Sequence, residues 1–453
     1  MLNTIKKKLS GSEFYRNVFL LARGTTIAQA LPILISPILT RIYGPEDFGI
    51  LAIYVALMSI LGVISTGRYE LSIMLPKSNA EAIQLVWLTI LTSFIISILI
   101  LILIILGFED LSQHVNFPEE YQYLIYFIPL SVFILGICQS ITTLLNRNKK
   151  YKEMSLTKVI SNSSSGFTQI SGSGLNGGLL IGYISGQISG LLYLLFVFKK
   201  VCYSDLDLKS NKLRPNLRTM SKLAYKYRVF PQVNAISSLL NTSSVQLVPL
   251  LLTAFFSSVT TGFYSLSQRI LQMPMSLLGS SIALVYFQKA NELSSNKEKL
   301  KALTLSINKK LLVIGIIPIS LTLLLGDYLF ELVFGEEWKV AGEYAQYLAP
   351  WIYLVFVSSP LSHLLTVLGK QKELLIFNTF LFFTRIGWLL FAYYLVLEPG
   401  TAIFVHANIG TVAWLAFVYY VMNLANVNLK EVTKQLLPFF IIVIVCSISG
   451  NYI

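Results

Sequence analysis

A succession of long apolar segments is what most constrains this chain. They lie near residues 17–40, 48–66, 81–106, 123–145, 155–174, 178–198, 229–255, 262–287, 307–330, 344–368, 374–396, 401–423 and 436–452. A helix crossing the bilayer core needs ~20 mostly apolar residues, and segments of this length recur along the whole sequence. The composition agrees: 55% of residues are hydrophobic, 13% are charged and the mean hydropathy is +0.67. Soluble chains carry ~25% charged residues, so a water-soluble fold is excluded. The expected fold is an all-α polytopic membrane protein with about 12 core transmembrane helices in two lobes and an extra C-terminal helix. The first apolar run follows Lys6, Lys7 and Lys8, is too long for a signal peptide and lacks a small-residue cleavage site, so it reads as a retained helix. Cys138, Cys202 and Cys446 lie far apart, in or beside apolar segments, and form neither a disulfide framework nor a zinc pattern.

The net charge of +13 raises nucleic acid as a partner, and the distribution of that charge removes it. With a cytoplasmic N-terminus, the inner segments collect Lys6, Lys7, Lys8 and Arg16, then Arg68 and Lys77, then the basic run from Arg147 to Lys158. Lys199–Arg228, Lys289–Lys310, Lys370, Lys372, Lys430 and Lys434 fall on the same side. The outer segments keep only Arg41 and Lys339, which leaves Arg23, Arg269 and Arg385 inside spans. Such asymmetry follows the positive-inside rule. The basic balance reports orientation.

The long polar connection from Lys199 to Arg228 separates two halves. The expected organisation is a six-helix lobe over 1–200, a cytoplasmic linker over 201–228, a second six-helix lobe over 229–425 and an extra helix over 426–453. The halves echo each other. Phe117-Pro118-Glu119-Glu120-Tyr121 recurs as Phe334-Gly335-Glu336-Glu337-Trp338, each between the third and fourth helices of its half. Asp47-Phe48-Gly49 and Thr261-Gly262-Phe263 likewise open the second helix of each half. An even helix count per repeat preserves orientation, so the implied symmetry is a pseudo-two-fold along the membrane normal, with a substrate path between lobes.

An arginine at a helix centre in lipid costs ~2.5 kcal/mol or more, which makes the three intramembrane arginines candidate functional residues. Arg23 and Arg269 either snorkel to a surface or line a cleft; Arg385 is mid-span and needs a partner or a cavity. Without a clear mid-membrane carboxylate they describe a positive cleft, and the guanidinium fork suits phosphate. Polar residues recur at helical spacing: Thr25, Gln29, Pro32, Ser36 and Thr40 in the first helix; Asn234, Ser237 or Ser238, Asn241 and Ser244 or Val245 in the seventh; Arg269, Gln272, Ser276 and Ser280 in the eighth, with Pro274 as a kink. Stripes facing lipid would be expensive, so they are expected in a shared aqueous cleft. Arg68 and Glu70 flank Tyr69 as either a gate or an interfacial ion pair, and Arg41 is a further interface candidate. The Ser161–Gly174 run is too polar for lipid and serves either close packing or a water-filled cavity. His363 and His406 stand alone in helices, where packing histidines outnumber proton relays. Glu119-Glu120 and Glu336-Glu337 suit helix-end caps. With no phosphate-binding glycine loop, nucleophile elbow or metal spacing, no enzymatic activity is expected.

The run Pro37-Ile38-Leu39-Thr40-Arg41-Ile42-Tyr43-Gly44-Pro45-Glu46-Asp47-Phe48-Gly49, with Arg68-Tyr69-Glu70 and Leu75-Pro76-Lys77, resembles bacterial polysaccharide (O-antigen, Wzx-type) flippases. Thr261 to Arg269, Phe334 to Trp338 and Gly369-Lys370-Gln371-Lys372 add to the resemblance, which extends over most of residues 14–425. It implies the multidrug/oligosaccharidyl-lipid/polysaccharide exporter fold, V-shaped and working by alternating access in the bacterial inner membrane. It implies an undecaprenyl-diphosphate-linked oligosaccharide as substrate; combined with the positive cleft read from the residues, Arg23, Arg269 and Arg385 are expected on the diphosphate and Gln29, Asn234, Asn241 and Gln272 toward the glycan. Arg23 and Arg269 match by position the essential arginines of related lipid II flippases. No organic cofactor is expected; a coupling ion, H+ or Na+, and the polysaccharide polymerase machinery are candidate partners beside the bilayer. The first helix lacks the acidic residue typical of the drug-exporting branch, which weakens the alternative of a drug or cation antiporter. A membrane-bound polymerase is the other alternative, and it would call for a large outer loop.

Overall fold

The fold was read from a computed structural model, described over residues 27–114, 119–202, 214–273 and 279–448. Its helices are α1 (Ile27–Leu39), α2 (Pro45–Ser65), α3 (Asn79–His114), α4 (Ile128–Arg147), α5 (Tyr151–Ser171), α6 (Gly178–Lys200), α7 (Leu217–Lys226) and α8 (Ala235–Phe255). There follow α9 (Ser258–Leu271), α10 (Ser280–Glu292), α11 (Lys297–Phe334), α12 (Lys339–Leu361), α13 (Gln371–Tyr394), α14 (Pro399–Leu424) and α15 (Leu429–Ile448). Nine helical stretches among the described residues are long and apolar enough to cross a bilayer, those holding α2, α3, α4, α6, α8, α11, α12, α13 and α14. Three more places complete the two-lobe arrangement: α1, the long but polar α5, and α9 with α10 on either side of residues 274–278. Pro274 and Ser276 lie outside the described residues.

Two helices overrun their apolar segments. The sequence ends the third span near residue 106, yet α3 continues to His114 and has 36 residues. The ninth is expected from 307, yet α11 begins at Lys297, capped by Asn296 accepting from the Lys299 amide at 3.0 Å, and has 38 residues. The basic Lys289–Lys310 segment is thus mostly helix. Hydropathy marks where lipid ends; backbone hydrogen bonding continues past that point.

The chain divides into two compact units. The first holds residues 1–43 and 50–246, the second residues 44–49 and 247–453. This division cuts through α2 and α8, and falls elsewhere than the sequence-based boundary at 228. The C-terminal part of the expected linker is a helix: Met220 and Leu223 of α7 are buried with Ile73, Ala82, Val86 and Leu144. Gln84 of α3 ties it down, donating to the Arg214 carbonyl and accepting from the Asn216 amide at 2.8 and 2.9 Å.

In the first unit α5 and α6 pack through small residues. Gly182, Gly186 and Gly190 of α6 face Gln169, Ser165 and Ser161 of α5. The polar α5 satisfies itself there: Ser164 and Ser189 hydroxyls meet at 2.7 Å, Gln169 donates to the Leu179 carbonyl at 2.9 Å, and Asn162 donates to that of Ala28 at 2.6 Å. Of the two uses open to this polar run, close packing is the one realised along this face.

In the second unit α12 is the hub, buried along most of its length between α11, α14 and α9. Tyr353 donates to the Leu312 carbonyl at 2.9 Å and stacks on Phe439 of α15, which Lys301–Glu431 and Asn308–Gln435 also anchor. The echoed motifs meet in this unit. Residues 44–49 pack on the start of α9, and the rings of Phe48 and Phe263 stand edge-on to Trp338, with centroids 4.8 and 5.9 Å away. Trp338, fully buried, closes the Glu336–Trp338 turn, whose counterpart, Glu119–Phe127, is also a 3-10 helix.

Candidate functional site: two cation clusters

The first cluster forms where α2 ends. Gly67 and Arg68 adopt successive left-handed conformations, φ 58° and 60°, and turn the chain into the 3-10 helix Tyr69–Met74. For a non-glycine residue that conformation costs ~1 kcal/mol or more, so it needs support from the side chain. Arg68 supplies it, donating to Glu70 Oε1 at 3.2 Å and to Ser238 Oγ of α8 at 2.7 Å. Glu70 is 4% exposed and also accepts from Thr66 Oγ1. Arg147 of α4 donates to the Ile73 and Met74 carbonyls, and the Tyr69 hydroxyl donates to that of Ala224. Burial raises the Tyr69 phenol above its ordinary pKa, which keeps it a donor. Arg68 and Glu70 are therefore an ion pair embedded in a corner of the first unit.

The second cluster lies in the second unit. Arg385 of α13 sets its guanidinium 5.2 Å from the centre of the Trp351 ring, and His406 of α14 stands edge-on to that ring. Tyr264 of α9, fully buried, lies within electrostatic reach of Arg385 and accepts from Gln268 at 3.4 Å. Arg269, in the last turn of α9, is half-buried and has no hydrogen bond or ion pair among the described residues.

The other predicted positions divide. Arg23 lies outside the described residues. Gln29, Arg41 and Asn241 are exposed; Asn234, in the turn before α8, and Gln272, just after α9, are half-buried. Two members of the first-helix stripe, Ser36 and Thr40, are buried and donate to the carbonyls of Pro32 and Pro37. A short hydroxyl on a helix returns its proton to the preceding turn, so it need not seek water. Sequence reasoning placed Ser238 only in a polar stripe and missed Trp351; no periodicity links either to a charge in another helix.

This helical scaffold, with arginines on its apolar helices, is that of a multi-pass membrane protein. Its fold is shared with a multidrug resistance MATE family transporter of the MOP superfamily in an inward-facing conformation, at a TM-score of 0.69 and 17% identity over 88% of this chain and 95% of that one. A MOP superfamily transporter from Pyrococcus furiosus follows at 0.60 and 15% identity, over 90% and 95% of the two chains. The chain belongs to the polysaccharide biosynthesis protein family, which it matches over residues 38–343. Lipopolysaccharide biosynthesis protein WzxC of Escherichia coli (strain K12) is 24% identical over 393 residues, 84% of this chain and 75% of that protein. The expected membership of a polysaccharide biosynthesis family thus holds, and the fold is one shared with MOP superfamily transporters.

Proposed function

We propose that this protein is a flippase for an undecaprenyl-diphosphate-linked oligosaccharide, moved from the cytoplasmic to the outer leaflet of the bacterial inner membrane by alternating access. Family membership and the transporter fold support the class. The observation that carries the substrate chemistry is Arg269, a half-buried guanidinium on a membrane helix with no internal partner among the described residues. A diphosphate offers such a fork the paired oxygens it fits. Arg23 joins it on the diphosphate, while Gln29, Asn234, Asn241 and Gln272 meet sugar hydroxyls. The N-terminus is cytoplasmic, on the strength of the basic inner segments.

Proteoliposomes carrying a fluorescent undecaprenyl-diphosphate oligosaccharide test this reading, with an external glycosidase reporting arrival of the glycan outside. Wild-type protein should expose the glycan. Arg269→Ala, which forgoes at least one charge-assisted hydrogen bond of ~1.5 kcal/mol, should slow exposure about tenfold or more. Wild-type rates in that variant would sink the assignment of Arg269.

A further inference from the structure

Within the second unit, α11 and α15 lie side by side and run in the same direction. Their paired positions rise together: Lys301 with Glu431 at 2.9 Å, then Asn308 with Gln435 at 2.7 Å. Tyr353, bonded to the Leu312 carbonyl, then stacks on Phe439. Both helices turn from polar to apolar at one level, after Lys310 on α11 and after Gln435 on α15.

A groove of about 580 Å³ runs between them, inside the ~300–1,000 Å³ range of ligand sites. Leu312, Tyr353 and Phe439 line it and are buried, while Val313, 60% exposed, and Pro438 line it from the outside. The groove therefore opens away from the core. Its two ends differ in chemistry. Lys309 and Lys434 line one end, each next in sequence to a member of the Asn308–Gln435 pair, so they stand at the same level. At 1.5 Å of rise per residue, Ile316 on the apolar wall lies ~10 Å further along α11.

The sign of the ligand follows from the charges. Lys309 and Lys434 are exposed and have no ion pair or hydrogen bond among the described residues. Glu431 also lines the groove, but Lys301 holds its carboxylate. A single lysine at a membrane surface is accounted for by snorkelling. Two at one level, on neighbouring helices at the mouth of an apolar groove, form a pocket for an anionic headgroup. A soluble anion would leave the apolar wall unused, and a neutral lipid would leave both charges unanswered.

We propose that this groove binds a glycerophospholipid with a net negative headgroup, taken from the surrounding bilayer. Its phosphate lies between Lys309 and Lys434, and one acyl chain runs along Leu312, Val313, Ile316 and Phe439. The site stands or falls independently of the flippase reading.

The test is the melting temperature of the purified full-length protein in neutral detergent as phosphatidylglycerol or phosphatidylcholine is added in rising mole fraction. Phosphatidylglycerol should stabilise the protein saturably, and phosphatidylcholine should not. Lys309→Gln and Lys434→Gln should each raise the mole fraction needed about fivefold, and the double variant at least tenfold. Lys297→Gln/Lys299→Gln removes equal charge from α11 outside the groove and should respond as wild type does. Val313→Trp fills the groove, keeps both lysines and should also weaken the response. Equal stabilisation by the two lipids, or an equal loss in the Lys297→Gln/Lys299→Gln protein, overturns the proposal. So does an unchanged response in Val313→Trp, or the same stabilisation by glycerol phosphate without acyl chains.

Discussion

Gly49→Ala will unfold at a markedly lower temperature than wild type, although it adds one methyl group. The Cβ it introduces would sit 1.9 Å from the Ser258 carbonyl oxygen and 2.6 Å from its carbon. The reciprocal residue, Gly262, is placed the same way, 1.8 Å from the Pro45 carbonyl oxygen. Both obstacles are backbone, so no rotamer change relieves them and the two helix starts must separate. Overpacking costs ~1–3 kcal/mol when side chains can adjust; here the upper end is expected. The packing of Phe48 and Phe263 on Trp338 would loosen with it. Gly44→Ala is the control, because nothing lies within 4 Å of its new Cβ. The measurement is thermal unfolding in detergent, followed by size-exclusion chromatography. A Gly49→Ala protein as stable as Gly44→Ala would show that the starts of α2 and α9 do not touch.

The second large effect is expected from Glu70→Ala. Its carboxylate accepts from Arg68 and Thr66 at a nearly closed site, while the Arg68 side chain is 25% exposed. Removing one partner of a buried pair costs 3–5 kcal/mol because the other charge is stranded. Partial exposure of Arg68 brings the expected loss to about 3 kcal/mol. Arg68 would also lose a restraint on its left-handed backbone, and Ser238 of α8 would remain its hydrogen-bond partner. Glu70→Gln should fall between, since an amide oxygen still accepts from Thr66. The double variant Arg68→Ala/Glu70→Ala should be less destabilised than the sum of the singles, as coupled neighbours are. Strict additivity across the four proteins, measured by thermal unfolding, would show that the pair contributes no coupling.

The positions of the spans were legible because lipid demands a run of apolar residues that no other environment requires. What lies beyond lipid was not: the first turns of α11, with Lys297, Glu298, Lys299 and Lys301, read as loop by hydropathy and are held as helix by an asparagine cap. Arg68 and Glu70 were legible as a pair because opposite charges two residues apart at a helix end leave few alternatives. Their link to Ser238 spans 170 positions and leaves no local trace. The meeting of Trp351 with His406 and Arg385 was opaque for a related reason. An aromatic in an apolar helix carries the same signal whether it fills a core or receives a guanidinium on its face. The polar α5 could be read only together with the glycines of α6 that receive it.

The way α2 and α8 are shared has a consequence for dissection of the chain. Residues 44–49 are counted with the C-terminal unit, and α8 up to Gln246 with the N-terminal one. Each half of the sequence therefore lends the other a segment. A protein cut within residues 203–213 yields fragments that each lack a borrowed segment, and neither is expected to accumulate alone. Produced together, they should rescue one another, which makes the molecule one indivisible folding partnership written as two halves.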